Sequence, residues 1–474
     1  MATSSASSKI RPCQSPVHGE LLFDEILTRL PIAAAVRCQA VCRDWHAALT
    51  SEPFVSAHAA RAAAAQHPEI VFFSPTGPGT ATSFYACSLP LDGGAPVTTA
   101  RELLTVGDLA GERLVLSGNR PCRGLTLFFD VRLSEYYVFN LSTGEHVALP
   151  PCEPAEEIDH RLPRIKQRFP LEHSSTGLGF DPATGQHKVV RLFRNTFGRQ
   201  KCEVCSPTAS GVWRWRPCAG GDAPPGFACY IDGMPPVAID GCLYWLLHTR
   251  SFIDDSARDP PHDAPILSLS VGAERFGWVS TPPCLSVRIR HLTNLEGSLC
   301  AIVHDRLVDD VLLLLTWSRN SPSWSVRYRV EVGSLPRPIR DELSGEREIV
   351  PLCSVIGADG KKKLLLATSR HKVYAYHTVS GDAEEVFSMP DYVHVPRRNS
   401  EARLFINIGL HEERIAGVGR TLAGGTRLQV KRGRDTVAGK RDVSSEVYQE
   451  HQMQDAVDRD FRECVMQMQL AYAM

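Results

Sequence analysis

The chain has 474 residues, 43% of them hydrophobic, enough to fill one large domain with smaller attachments. Its 52 basic and 53 acidic residues leave a net charge of -1, so no global field draws it to nucleic acid or to a membrane surface, and the expected partner is another protein. Fifteen cysteines, odd in number and scattered singly, argue for reduced thiols in a cytoplasmic or nuclear protein, as does the lack of an apolar stretch behind the N-terminus or of any run near the roughly 18 residues of a membrane span.

Residues 1–16, rich in Ser and Ala, read as a disordered leader. The pattern over 17–65 is helical. Leu22, Phe23, Ile26, Leu27 and Leu30 line one face of a 3.6-period helix that Pro31 stops. Residues 32–36 read as a short turn. A second stripe follows at Val41, Cys42, Trp45, Ala48 and Leu49, and Pro53 opens a third, alanine-rich helix over 54–65. A segment this short buries little core alone, so a second surface must complete it.

Over 66–395, short runs of Val, Ile, Phe, Tyr and Trp alternate with Gly, Pro and Asp, the rhythm of an antiparallel β body. One hairpin type recurs at 136–150, 178–193 and 373–390, each an aromatic strand, a polar residue and a Thr-Gly or Ser-Gly bend. A second type carries tryptophan or another aromatic, at 204–217, 266–282 and 313–330. Between them, 236–247 and 292–303 turn on Asp240-Gly241 and Glu296-Gly297. Hairpins repeating every roughly 45 to 60 residues predict the blades of a propeller, about five to seven of them, rather than a sandwich. Residues 151–170 read as a surface loop and the lysines at 361–363 as a solvated hairpin bend. Residues 396–441, including the basic run 431–434, read as a flexible linker. The tail, 442–474, puts Val457, Phe461, Cys464, Val465, Met468 and Tyr472 on one face of an amphipathic helix.

The helical residues resemble the F-box, the motif that docks on the Skp-type adaptor of cullin-RING ubiquitin ligases. The match is E-I-L-x-R-L-P at Glu25, Ile26, Leu27, Arg29, Leu30 and Pro31, then V-C-R-x-W at Val41, Cys42, Arg43 and Trp45, with Pro53, Phe54 and His58 trailing. His18 and Gly19 stand where the family usually has Leu-Pro. The β body resembles the F-box-associated region of plant F-box proteins, through C-R-G-L at 122–125, the Asn and Thr-Gly-Glu segment at 140–150, G-L-G-F-D-P and its continuation at 177–192, Trp213-Arg214, D-G-x-L-Y-W-L at 240–246 and the segment 292–300.

Together these imply an α+β multidomain chain: a three-helix F-box, a predominantly antiparallel, kelch-like β-propeller and a C-terminal helix. They imply a non-catalytic substrate-recognition subunit of a Skp-cullin-F-box ligase, with a Skp-type adaptor, a cullin scaffold and an unknown protein substrate as partners and with no cofactor. The implied adaptor-binding residues are Leu22, Phe23, Ile26, Leu27, Leu30, Pro31, Val41, Cys42, Trp45 and Leu49. An F-box scaffold acting outside the ligase and a kelch-type propeller enzyme are the alternatives.

Other motifs point to packing. Cys202 and Cys205 form a C-x-x-C without a second pair at zinc spacing, and Cys38 and Cys42 lie one helical turn apart. The histidines are dispersed, and His411 beside Glu412 and Glu413 reads as a solvated turn. There is no G-x-S-x-G elbow, and the glycines of 177–185 match no phosphate-binding loop. Asn140-Leu141-Ser142 is a glycosylation sequon by pattern alone.

Overall fold

The structure is a computed structural model that describes residues 25–65, 68–76, 81–89, 99–111, 114–130, 133–155, 174–222, 235–247, 266–286, 289–305, 310–319, 321–343, 349–357, 360–393, 406–419, 428–432 and 437–439. Leu22, Phe23, the expected leader and the expected tail helix lie outside those residues, as does most of the expected loop 151–170.

Six antiparallel sheets form a six-bladed, predominantly β propeller. The first blade holds Glu69–Thr76 (β1), Ala81–Ser88 (β2) and Thr99–Gly107 (β3). The second holds Leu114–Leu116 (β4), Thr126–Asp130 (β5), Glu135–Phe139 (β6) and His146–Ala148 (β7). The third is Ser174–Asp181 (β8), Gln186–Arg194 (β9), Gln200–Pro207 (β10) and Trp213–Pro217 (β11). The fourth is Val237–Ile239 (β12), Cys242–Leu246 (β13), Ile266–Ser270 (β14) and Arg275–Val279 (β15). The fifth is Ile289–Leu295 (β16), Ser298–Asp305 (β17), Val311–Ser318 (β18) and Ser323–Glu331 (β19). The sixth is Ile349–Ile356 (β20), Lys362–Thr368 (β21), Lys372–His377 (β22) and Ala383–Ser388 (β23).

The hairpins expected from sequence are the halves of these blades. Asp240-Gly241 joins β12 to β13 and Glu296-Gly297 joins β16 to β17. All four residues have positive φ, from 47° to 76°, the primed turn that the strand twist favours. Of the aromatic and tryptophan units, 178–193 is the inner hairpin β8–β9 of the third blade, and the others are outer hairpins, β6–β7, β10–β11, β14–β15, β18–β19 and β22–β23.

The core is divided into wedges. Because side chains alternate across a strand, each blade buries one set of residues against the blade before it and another against the blade after. Val189 and Cys205 face the second blade, while their neighbours Val190 and Val204 face the fourth. Six apolar clusters result, one between each pair of adjacent sheets, including the sixth against the first. The glycines at 177 and 179 let β8 approach the fourth blade closely, since a Cβ at Gly177 would lie 2.2 Å from Pro236 Cγ and one at Gly179 would lie 2.6 Å from Val271 Cγ2.

Part of the stretch expected to be linker is instead built into the first blade. Ile408–His411 (β24) pairs with β1 as the innermost strand, while Gln429–Arg432 (β25) and Val437–Gly439 (β26) pair with β3 at the outer edge. Lys431 and Arg432 thus sit in a strand. The ladder partners lie at the other end of the sequence, so local composition does not reveal these strands.

The helical segment also departs from expectation. Its described part begins at Glu25 and opens with a 3-10 turn, Leu27–Arg29, followed by Ile32–Cys38 (α1), Arg43–Leu49 (α2) and Glu52–Ala65 (α3). Residues 32–36 were expected as a turn and are helical, because Pro31 ends one element and, with extended backbone, caps the next. Cys42 caps α2, its sulfur accepting from Trp45 N at 3.5 Å. Buried His58 on α3 hydrogen-bonds Leu30 O at 2.9 Å through Nε2 and so ties the third helix to the turn before the first.

Candidate functional site

Among the described residues, the helical segment and the propeller axis are candidate places for contact with a partner. On the helical segment the expected adaptor-facing residues divide. Ile26 and Val41 are 47% and 57% exposed, and Pro31 is also exposed. Leu30, Cys42 and Trp45 are half-buried. Leu27 and Leu49 are instead core residues, packed with Ile32, Ala35, Phe54, Val55 and Ile415, and cannot line an outer face while that core stays closed. Helical periodicity marks an apolar face without saying whether a partner or the rest of the fold covers it.

Ile415 belongs to a strap, residues 412–419, that leaves β24 and runs over the second and third blades. Asn140 is wholly buried and holds it, donating from Nδ2 to Arg414 O at 2.9 Å and Ala416 O at 3.0 Å, while its Oδ1 accepts from Ser142 N and Thr143 N at 3.0 and 3.1 Å. Trp213 Nε1 donates to Val418 O at 2.7 Å. From the strap's other side, Arg414 reaches Glu52 at 3.2 Å and Ser56 Oγ at 3.4 Å on α3, and Arg123 of the second blade also pairs with Glu52. The helical segment is thereby fixed to the propeller. The Asn140 motif was visible in sequence, but its acceptors lie some way down the chain, which hid its role.

Inner strands and their turns enclose a cavity of about 550 Å³ on the axis. Most polar side chains on its wall are committed to neighbouring blades. Ser117 donates to Thr176 O at 2.5 Å, Asn119 to Ile408 O at 2.6 Å, Thr293 to Pro351 O at 2.9 Å and Asn294 to Ala238 O at 3.0 Å. Arg123 lies 4.1 Å over the Phe180 ring. Arg120 differs. It is exposed to the cavity, its Nε donates to Leu352 O at 3.3 Å, and it makes no ion pair among the described residues. Burial pulls its guanidinium down from the ordinary value.

His411 is buried, not on a solvated turn. Its Nδ1 lies 2.8 Å from Glu69 Oε2, and its Nε2 lies 3.2 Å from Ser142 Oγ. Burial works to raise the Glu69 carboxyl, but the hydrogen bond and charge of His411, helped by Arg101, outweigh it and hold Glu69 at about 2. The spacing is that of a nucleophile, a base and an orienting carboxylate. The Ser142 and Thr143 amides that would have to face an oxyanion already donate to Asn140, however, and Ser142 Oγ also lies 3.4 Å from Glu412 O. The group clamps the closing strand.

A second buried charge cluster joins the third and fourth blades. Lys188 Nζ lies 3.1 Å from Asp181 and 3.2 Å from Glu274, and Arg216 donates to Glu274 Oε2 at 2.7 Å. Burial opposes the Glu274 charge, but Arg216, the Ala219 amide and Lys188 overcome it and keep the carboxyl at about 2. Cys202 and Cys205 face opposite wedges, so they cannot share a metal ion. Among the described residues, no group of three His, Cys, Asp or Glu side chains is placed to hold one.

No protein-family model matches the chain. It is 25% identical over 323 residues to an F-box/kelch-repeat protein of Arabidopsis thaliana, covering 66% of this chain and 70% of that one. An F-box protein of the same plant is 22% identical over 358 residues, covering 68% of this chain and 75% of its own length. The chain is similar to plant F-box proteins. A third relative, an F-box/LRR-repeat protein of Arabidopsis thaliana, is 24% identical over 64% of this chain and 61% of its own. Among solved structures, a chain of a nidogen/laminin complex is 12% identical with a TM-score of 0.37, covering 72% of this chain and 98% of that one, a likeness too distant to carry an argument.

Proposed function

We propose that the chain is the substrate-recognition subunit of a Skp-cullin-F-box ubiquitin ligase, working in the cytoplasm, the nucleus or both. The observation that carries this reading is a helical segment pinned to a propeller while Ile26, Pro31 and Val41 stay exposed. In this reading those residues meet a Skp-type adaptor that is joined to a cullin scaffold, and the propeller holds a protein substrate. The chain needs no chemistry of its own. Holding a substrate lysine beside the charged ubiquitin-conjugating enzyme raises its effective concentration and makes transfer resemble an intramolecular step.

The test is co-purification of the full chain with the adaptor. Wild type is expected to bind and Ile26→Asp/Val41→Asp to lose binding by more than 100-fold with an unchanged melting temperature. Failure of the wild type to bind would remove the ligase reading and leave an interaction scaffold outside it, which His18-Gly19 in place of the family's Leu-Pro favours.

A further inference from the structure

We infer that the axial cavity receives a carboxylate of a protein partner, either an Asp or Glu side chain or a chain terminus, with Arg120 as its ion-pair partner. This deepens the substrate-receptor reading and rests on it. The cavity, about 550 Å³, falls within the range that usually holds a small ligand and takes a few side chains rather than a folded surface. Its wall donors Ser117, Asn119, Thr293 and Asn294 are bound to carbonyls of adjacent blades, and Arg123 is paired with Glu52.

That leaves the Nη groups of Arg120, which make no hydrogen bond or ion pair among the described residues. Glu412, an acidic neighbour, is itself engaged, accepting from Gly124 N at 3.1 Å and lying 3.6 Å from Arg414. A guanidinium fork with both outer nitrogens open matches a carboxylate, which can accept two parallel hydrogen bonds. The same inventory disfavours a phosphate monoester. Among the described residues, Arg120 is the one arginine on the wall without an ion pair, whereas phosphate sites ordinarily gather several, and Asp240 would repel a dianion about twice as strongly as a carboxylate.

The experiment selects binders from a random dodecapeptide display library on the full-length chain and resynthesises them in matched forms, with Asp and Glu replaced by Asn and Gln, or with the C-terminus amidated. One of these changes is expected to weaken binding at least 10-fold on wild type and less than 2-fold on Arg120→Gln, with Arg120→Lys in between. The two matched forms separate side-chain from terminal carboxylates. Selected peptides that ignore both changes, or whose acid dependence survives Arg120→Gln at an unchanged melting temperature, would overturn the assignment. So would a selection that yields no carboxylate-dependent binder, or succinate competing at the same arginine where peptides do not. Adaptor co-purification is measured on the same proteins. Its loss with the carboxylate effect intact counts against the ligase reading and leaves the cavity assignment standing.

Discussion

The wedge between the third and fourth blades and the core of the helical segment are finished in different ways. The wedge takes its apolar residues from two sheets adjacent in sequence and adds the Lys188, Asp181, Glu274 and Arg216 clamp. Among the described residues the helical core has seven buried members, and one of them, Ile415, arrives on the strap from the far side of the ring closure. A blade is large enough to be completed by its neighbours, whereas the helical segment is not, and its packing depends on an element made much later in the chain.

Substitutions can break or sharpen that contrast. The largest expected effect is in the wedge. Glu274→Ala leaves buried Lys188 with Asp181 and the Val271 carbonyl and removes the ion-pair partner of Arg216, so unfolding by denaturant is expected to shift by about 3–5 kcal/mol. A shift below about 1 kcal/mol would mean that apolar packing alone holds the wedge. Next is ring closure at Glu69. Its carboxyl falls from 4.5 to about 2 on folding, so the stabilisation is complete above pH 4.5 and drains away as pH falls toward 2. The full contribution is on the order of 3 kcal/mol. Glu69→Gln should flatten the stability curve in that window, and an unchanged slope would place the acid sensitivity elsewhere.

Ile415→Asp should cost about 2 kcal/mol, confined to the helices. Hydrogen exchange is expected to speed up across α1–α3 while β8–β11 stay protected, and adaptor binding should be lost. Unchanged exchange would mean that the helical segment stands by itself. The smallest effect on stability belongs to Ile26→Asp/Val41→Asp, within about 0.5 kcal/mol for exposed positions.

The sequence was most legible where a local rule forces the backbone. Asp240-Gly241 and Glu296-Gly297 must turn with positive φ, and the aromatic runs beside them must pair, so the hairpins and the propeller class follow without knowledge of distant partners. Legibility fell where a residue's role is set by something far along the chain. The four residues of β24 contain a glycine and run into the charges of 412–414, and they become a strand because β1 offers an edge. His411 is polar among carboxylates in sequence and buried against Glu69 in space. Leu27 and Leu49 belong to the same apolar pattern as Ile26 and Val41, yet only the latter two remain on the surface. Arg120 had no signal at all, since an arginine in a turn looks solvated until the ring closes around it.

The strap also sets the order of events during synthesis. Domains made first usually fold first as the chain emerges at about 5–20 residues per second. Here the helices emerge early, but their core waits for Ile415, and the strap in turn needs Asn140 and Trp213 already seated in their blades. A ribosome that stops anywhere short of Ile415 therefore releases a product that carries the docking sequence without its settled shape. Such a fragment would be a poor competitor for the partner of the finished protein.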